Sequence, residues 1–199
     1  MTGFLFNQGN RANPINPGSD NYICTMKSSR FLRTILILLA LALNIGCDQV
    51  SKSIVRHKMH YYDQIGYLHN HLTLSRVENA GAFLSFGDSL SGPLRLILLN
   101  ILPLLAVVLG LIFILRKSNL NKVTLFAVIL IIGGGFGNIY DRMVHGSVTD
   151  FIHINFVIFQ TGIFNVADMS IMAGTFIILI KALLKKKEEP AIENEAQAE

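Results

Sequence analysis

The stretch that decides the fold is residues 96–115, LILLNILPLLAVVLGLIFIL, which contains no charged side chain. A helix needs about 20 apolar residues to cross a hydrocarbon layer about 30 Å thick. Three further apolar stretches of similar length lie at about residues 31–50, 123–140 and 163–180. The sequence therefore predicts a membrane all-α fold, a bundle of four transmembrane helices.

The composition favours a membrane protein and excludes other classes. Of the 199 residues, 51% are apolar and 15% are charged, whereas soluble domains carry about 25% charged residues. Two cysteines are too few for a disulfide framework. The basic residues flank apolar runs and form no face with interleaved aromatic residues, so we expect no nucleic-acid partner.

Basic residues beside the spans predict the orientation. They cluster before the first span, between the second and third spans and after the fourth, while the longer loops, 51–95 and 141–162, are poorer in them. By the positive-inside rule the N and C termini are cytoplasmic and both longer loops lie on the outer face. We expect residues 26–187 to form one membrane domain, between a dispensable or disordered N-terminal extension (1–25) and a disordered acidic tail (188–199).

The outer loops carry two strand-like patterns. Apolar and polar residues alternate from Tyr67 to Glu78, a period typical of a strand with one apolar face, and Phe151–Phe159 is a second such run. We expect the two to pair in a small β-sheet on the outer face. The intervening Asn79–Phe83 is glycine-rich and is typical of a turn near a site.

Acidic residues are almost absent from the second half of the chain. Residues 89–187 contain only Asp141, Asp150 and Asp168. A carboxylate at the middle of a membrane costs about 2.5–3.5 kcal/mol, so such residues are usually functional. In the predicted topology these three, together with Asp48, lie at the outer face, where a helix bundle could bring them together.

Asp150 and Asp168 are candidates for a catalytic pair. Two neighbouring carboxylates share a proton because both cannot ionise cheaply. One can then deprotonate water while the other protonates the carbonyl oxygen or the leaving amine of a peptide. The structural alternative is that Asp168 only hydrogen-bonds within the bundle and Asp150 only supports a turn.

The remaining charged residues near the outer face have two interpretations each. Asp141 and Arg142 form a local ion pair or a helix end, or else Arg142 holds a lipid phosphate or a peptide carbonyl. Asp48 and Lys52 are spaced i, i+4 and can pair on one helix face, either to neutralise charge or to support a site.

His69 and His71 raise the alternative of a metal site. On a strand they would share one face, but no Cys or Glu joins them at the spacing of metal ligands. We therefore expect no metal and no cofactor.

Taken together, five blocks between Met26 and Leu184 resemble the lipoprotein signal peptidase (signal peptidase II) family. Each block is short, but their occurrence in order across four spans is specific. The blocks are Asp48-Gln49-x-x-Lys52, Asn79-x-Gly81-Ala82-Phe83, Gly137-Asn138-x-x-Asp141-Arg142, Gly146-x-Val148-x-Asp150-Phe151 and Phe164-Asn165-x-Ala167-Asp168.

The resemblance implies an aspartic endopeptidase of the bacterial inner membrane with Asp150 and Asp168 as its catalytic residues. Its substrates would be prolipoproteins carrying diacylglyceryl on a Cys, cut just before that Cys near the outer face. Membrane lipids are its other partners, and we expect a monomer because one chain contains all the parts. The resemblance assigns substrate binding to Asn79, Gly81, Asn138, Arg142, Asn165 and Ala167, and a supporting role to Asp48, Lys52 and Asp141.

Two other functional classes stay open at this point. A transporter or proton relay also places acids in membrane spans, but it predicts carboxylates distributed through the membrane depth. A non-enzymatic lipid-binding scaffold would not require both Asp150 and Asp168. Under the peptidase hypothesis, the loop from Asn79 to Phe86 covers the site and limits the entry of water.

Overall fold

In the computed structural model, the described backbone comprises residues 18–61, 63–81, 91–156 and 158–196, and side chains are described from residue 30 to residue 185 of these ranges. Residues 1–17 of the N-terminal extension lie outside the described part. So do residues 82–90, which include most of the loop from Asn79 to Phe86 that is predicted to cover the site.

Within the described residues, four helical segments are long and apolar enough to cross a membrane. The first is α1 (Gly18–Lys58). The second comprises α2 (Gly92–Leu96) and α3 (Leu102–Arg116), joined by a π-helical turn over Ile97–Ile101. The third and fourth are α4 (Lys122–His145) and α5 (Val166–Ala196). The predicted four-helix membrane fold is confirmed.

The helices extend beyond the apolar runs that predict them. Residues 51–58 and 141–145, assigned to outer loops from the sequence, continue α1 and α4 by one to two turns. The apolar run of a helix shows only which part of it can lie in lipid, whereas the helix itself continues until a capping residue ends it. Helix α4 ends at Gly146, whose φ of 78° is left-handed, and begins after Asn121, whose side chain accepts a hydrogen bond from Val123 N. Helix α5 likewise enters the acidic segment where the sequence predicts disorder, because Glu and Ala are good helix formers.

Pro103 accounts for the π-helical turn before α3. A proline has no backbone N–H, so the carbonyl of Leu99 cannot receive the usual i−4 hydrogen bond. The wider turn over Ile97–Ile101 accommodates this break without ending the segment.

The two longer loops, after the first and third spans, pair in an antiparallel sheet of order β1-β2-β3-β4. Its strands are β1 (Gln64–Tyr67), β2 (Leu72–Asn79), β3 (Val148–Phe156) and β4 (Phe159–Gln160). The predicted pairing of the two loops is confirmed by the β2–β3 ladder. The sheet joins the bundle through the bridge between Ile152 and Phe164, just before α5.

The prediction of one continuous strand from Tyr67 to Glu78 is wrong over residues 68–71, which connect β1 to β2. Leu68, His69 and Asn70 have φ values of 52°, 56° and 66°, and they form the hairpin turn between β1 and β2. The alternating pattern that runs through Leu68 is therefore coincidental there. His69 and His71 consequently do not share a strand face.

Helix α4 lies against both α1 and α5 through glycines. A Cβ at Gly134 would meet the main-chain oxygen of Ala167, and one at Gly137 would meet the carboxylate of Asp48. Small residues allow this close approach of membrane helices. It brings polar groups near the C-terminal ends of α1 and α4 and the start of α5 within hydrogen-bonding distance of one another.

Candidate active site

Asp150 is a buried carboxylate at the start of β3. It is 3% exposed and lies between the bundle and the sheet. Its Oδ2 accepts a hydrogen bond from Asn79 Nδ2 at 2.9 Å, and its Oδ1 accepts one from Asn165 Nδ2 at 2.6 Å. Both oxygens are thereby oriented by amide donors, one from β2 and one from the residue that precedes α5.

Asp168 is fixed by the first turn of α5. Asn165 is the N-cap: its Oδ1 accepts the backbone N–H of Asp168 at 2.9 Å, while Asp168 Oδ2 accepts the backbone N–H of Asn165 at 3.2 Å. This is the reciprocal arrangement of a capping box, with aspartate in the place of the usual glutamate. The other oxygen, Oδ1, accepts a hydrogen bond from Asn138 Nδ2 at 2.8 Å.

Two asparagines link the carboxylates to each other. Asn165 donates through Nδ2 both to Asp150 and to Asn138 Oδ1, the latter at 3.2 Å, and Asn138 in turn donates to Asp168. The two acids lie 18 residues apart in the chain and on different elements. The structure therefore brings the predicted pair into one hydrogen-bonded cluster.

The environment of Asp150 favours its protonated form. Burial, with a further contribution from the negative charge of Asp168, raises the pKa of Asp150 from 3.8 to about 6. The hydrogen bonds from Asn79 and Asn165 favour the ionised form and oppose this rise. Asp150 therefore binds a proton more tightly than an ordinary aspartate, as one member of a general acid–base pair must.

Arg142 reaches from α4 to the end of β2. Its Nη2 donates to the carbonyl of Gly81 at 2.9 Å, and its Nη1 donates to the carbonyl of Asn138 at 3.4 Å. Its Nε is buried and has no hydrogen-bond partner among the described residues. Gly81 is held in turn by its own N–H, which donates to Asn79 Oδ1 at 3.0 Å.

A cleft of about 340 Å³ opens beside this cluster between α3, α4 and α5. Asn138, Arg142 and Asp168 form its polar wall, and Ile171 and Met172 belong to its apolar wall. A ligand in this cleft would touch a carboxylate and a guanidinium at one end and apolar side chains along the rest.

A fully buried ionic cluster lies behind the carboxylates. Lys52 Nζ is 2.8 Å from Asp48 Oδ2 and 3.1 Å from Asp141 Oδ2, and it donates to Asn138 Oδ1 at 2.9 Å. Asp48 Oδ1 accepts the backbone N–H of Ala167, in the first turn of α5, at 2.9 Å. Buried charges are tolerated only when they are paired and hydrogen-bonded, and here that requirement fixes α1, α4 and α5 against one another.

The ion pairs of Asp48 and Asp141 agree with the sequence-based expectations to different degrees. The i, i+4 pair of Asp48 and Lys52 forms as expected. Asp141 forms ion pairs with Lys52 and Arg56, whereas Arg142 extends toward Gly81. The predicted alternative of a local ion pair between Asp141 and Arg142 therefore does not explain the ion pairs that Asp141 makes.

Ala167 is one of the predicted substrate-binding residues, yet it is fully buried between helices. Asn165 is fully buried as well, and Asn79 is 9% exposed. These three orient the carboxylates or pack the helices. Asn138 and Arg142 do line the cleft.

Sequence reasoning missed a second polar layer. Arg56 donates through Nη2 to Asp141 Oδ1 and through Nε to Thr149 Oγ1, both at 2.7 Å. Thr149 Oγ1 also donates to the carboxylate of Glu78, at 3.1–3.2 Å. Thr149 and Glu78 directly precede Asp150 and Asn79, and side chains of adjacent strand residues point to opposite faces. The sequence contained one indication of this layer, because Arg56 continues the i, i+4 series of Asp48 and Lys52 on the same helix face.

The histidines of the sheet do not assemble a metal site in the described part of the chain. No group of three or more His, Cys, Asp or Glu side chains there has the arrangement of metal ligands. His71 instead stacks on Phe156 and contacts the carbonyl of Asn155 through Nδ1.

Residues 39–184 match the family model described as signal peptidase (SPase) II. Lipoprotein signal peptidases from Photorhabdus laumondii, Staphylococcus haemolyticus and Acinetobacter baumannii (strain SDF) are 33%, 33% and 34% identical to the chain. The alignments cover 77%, 80% and 78% of this chain and 89%, 96% and 88% of the relatives.

The fold also matches two solved structures of a bacterial membrane enzyme, obtained by the in meso method at 2.3 and 1.9 Å resolution. The TM-scores are 0.68 and 0.65, each at 28% sequence identity. The alignments cover 77% and 74% of this chain and 90% and 92% of those chains.

Proposed function

Since this chain belongs to the signal peptidase II family of peptidases, we propose that it is an aspartic endopeptidase with Asp150 and Asp168 as its catalytic pair. The resemblance drawn from the five motif blocks is confirmed at the level of the family. The chain is a multi-pass membrane protein. Its substrates are prolipoproteins that carry diacylglyceryl on a Cys, and it cleaves the bond just before that Cys.

One observation carries the assignment of the pair. Asp150 and Asp168 come from different elements, yet the amides of Asn138 and Asn165 hold them in one cluster beside an apolar cleft. A structural role for either acid alone would not require that Asn165 contact both of them, through its side-chain amide to Asp150 and through the capping box to Asp168. A proton relay would not concentrate its acids at one end of the described spans.

The reaction needs only the two carboxyls and a water molecule. The pair shares one proton, which Asp150 binds with a raised pKa. Asp168 accepts a proton from water as its oxygen attacks the scissile carbonyl carbon, and Asp150 protonates the carbonyl oxygen. When the carbon–nitrogen bond breaks, the proton on Asp168 passes to the leaving amine. Asp150 recovers its proton as the carbonyl re-forms.

The cleft provides separate places for the peptide and the lipid. Arg142, with its unpartnered Nε, lies next to Asp168 and can donate to a carbonyl of the peptide or of the diacylglyceryl ester. The acyl chains lie along Ile171 and Met172, where the cleft opens between helices toward lipid. A lipidated substrate thus enters sideways from the bilayer with its scissile bond near the outer surface of the inner membrane.

The decisive experiment is cleavage of a synthetic diacylglyceryl prolipoprotein peptide by the purified protein. We expect Asp150→Asn and Asp168→Asn each to lower kcat by on the order of 10²–10⁴-fold, because each removes a general acid or base. Asp63→Asn is the matched control, because the Asp63 carboxylate accepts the backbone N–H of His60 in the loop after α1, away from the candidate active site. Mass spectrometry of the products should place the new N terminus at the lipidated Cys.

Two results would contradict the proposal. Wild-type activity in either Asp150→Asn or Asp168→Asn would remove that residue from the catalytic pair. Activity that a metal chelator abolishes would instead favour metal-dependent hydrolysis.

A further inference from the structure

A second groove lies at the opposite end of the bundle, between α1 and the start of α4. It has a volume of about 450 Å³. Leu36 and Ile37 of α1 and Leu125 and Ile129 of α4 form its apolar wall, and Arg33 and Lys122 lie at its end. We refer to it as the basic groove.

The basic groove is far from the carboxylates. Lys122 begins α4 and Asn138 lies 16 residues further along the same helix, which is about 24 Å at 1.5 Å per residue. The linings of the basic groove and of the cleft beside Asp168 share no residue. The two sites can be tested independently.

The wall of the basic groove is suited to a hydrocarbon chain. Ile37 and Ile129 are 2% and 6% exposed and belong to the buried core, so they form a closed floor. Leu36 is 57% exposed and stands at the rim. Leu125 and Ile129 are one turn apart on α4, so the apolar surface runs along the helix, which is the direction of a lipid acyl chain.

The end of the basic groove carries positive charge that no described acid neutralises. Arg33 is held in place by its Nη2, which donates to the carbonyls of Ile114 and Lys117 at 3.0 and 2.8 Å, where α3 ends. Lys122 lies in the first turn of α4, where the helix dipole adds positive potential. Among the side chains that the structure describes, the acid of α1 closest to Arg33 along the helix is Asp48, about 22 Å further along.

We propose that the basic groove binds an anionic diacyl phospholipid, with its phosphate between Arg33 and Lys122 and an acyl chain along Leu36 and Leu125. Basic pockets between membrane helices commonly bind the head groups of anionic lipids. The apolar wall favours a lipid over a free phosphate compound. The two cations, which no acid among the described side chains neutralises, favour an anionic lipid over a zwitterionic one.

The test is native mass spectrometry of the full-length protein titrated with phosphatidylglycerol or with phosphatidylcholine of the same acyl chains. We expect one saturable phosphatidylglycerol adduct that binds at least tenfold more tightly than phosphatidylcholine. The double variant Arg33→Gln/Lys122→Gln should lose this preference. The matched control is Arg30→Gln/Arg116→Gln, which removes two charges at the same end from residues outside the groove lining, and it should bind within twofold of wild type.

Two further variants separate folding from binding. Arg33→Lys keeps the charge and should bind within about threefold of wild type, while Leu36→Trp fills the rim and should weaken binding at least tenfold with both cations intact. Equal affinity for the two lipids, equal loss in the control, unchanged binding in Leu36→Trp, or full displacement by soluble glycerol phosphate would each overturn the proposal. Because the readout is binding, it stands apart from whether the protein cleaves prolipoproteins.

Discussion

Replacing Gly134 by alanine tests whether the close approach of α4 and α5 sets the geometry of the catalytic pair. A Cβ at this position would lie well inside 3.0 Å of the main-chain oxygen of Ala167, and within 2.9 Å of Ile171 Cγ1. The oxygen belongs to the backbone of α5 and cannot move by a change of rotamer. The first turn of α5 must therefore move away from α4.

The size of the movement can be worked out from the contact. Carbon atoms pack at about 3.5–4.0 Å, so the helices must separate by roughly 1 Å. The hydrogen bond from Asn138 Nδ2 to Asp168 Oδ1, now 2.8 Å, would then exceed the length of a hydrogen bond. Overpacking costs about 1–3 kcal/mol of stability, partly offset by up to ~1 kcal/mol from the better helix propensity of alanine. A displacement of about 1 Å in an active site costs on the order of 10²-fold in rate.

Gly174→Ala is the matched control for this prediction. Its Cβ would meet the main-chain oxygen of Ala127 just as closely, but Gly174 lies six residues after Asp168, about 9 Å along α5. Gly46→Ala, with no atom within 4 Å of the new Cβ, controls for helix propensity. We expect thermal unfolding in detergent to detect similar destabilisation of Gly134→Ala and Gly174→Ala, and prolipoprotein cleavage to fall sharply only in Gly134→Ala. Wild-type kcat in Gly134→Ala, or an equal loss in Gly174→Ala, would refute the reasoning.

Three further predictions concern the polar groups around the pair. The raised pKa of Asp150 contributes about 3 kcal/mol to the free energy of unfolding, and this contribution is complete below pH 3.8 and lost as the pH rises through about 6. The free energy of unfolding of Asp150→Asn should therefore depend less steeply on pH between these values. A slope equal to that of the wild type would contradict this. Asn121→Ala removes an exposed helix cap and should cost about 1 kcal/mol without affecting cleavage. Asn165→Ala removes a cap together with the buried hydrogen bonds to Asp150 and Asn138, so it should cost about 2–4 kcal/mol and also impair cleavage. Arg56→Gln should lower kcat about tenfold with KM within twofold, since it loosens the strand that carries Asp150; exposed Lys58→Gln should leave both constants unchanged.

The general architecture could be predicted from the sequence because its determinants are local. An uncharged run such as residues 96–115 is long enough to cross the membrane wherever it occurs in the chain. The position of Asp168 just inside an apolar run likewise marks it as costly, and the i, i+4 spacing of Asp48 and Lys52 predicts their pairing from helix geometry alone.

The errors arose where distant parts of the chain decide the outcome. The alternating pattern from Tyr67 to Glu78 gives no sign of the left-handed turn at Leu68, since strand and hairpin turn differ there only in backbone conformation. The partners of Asp141 come from α1, 85 residues away in the case of Arg56, and nothing near Asp141 in the sequence identifies them.

By itself, the sequence determined that this protein crosses a membrane four times and that Asp48, Asp141, Asp150 and Asp168 lie near one end of the spans. The reason is that the free energy of transferring apolar and charged groups into lipid depends on the composition of each segment alone. Only the tertiary structure decided which carboxylates meet. Asn138 reaches Asp168 across 30 residues because glycines in α4 let the helices approach until these short side chains can hydrogen-bond. Asn79 reaches Asp150 across 71 residues because β2 pairs with β3.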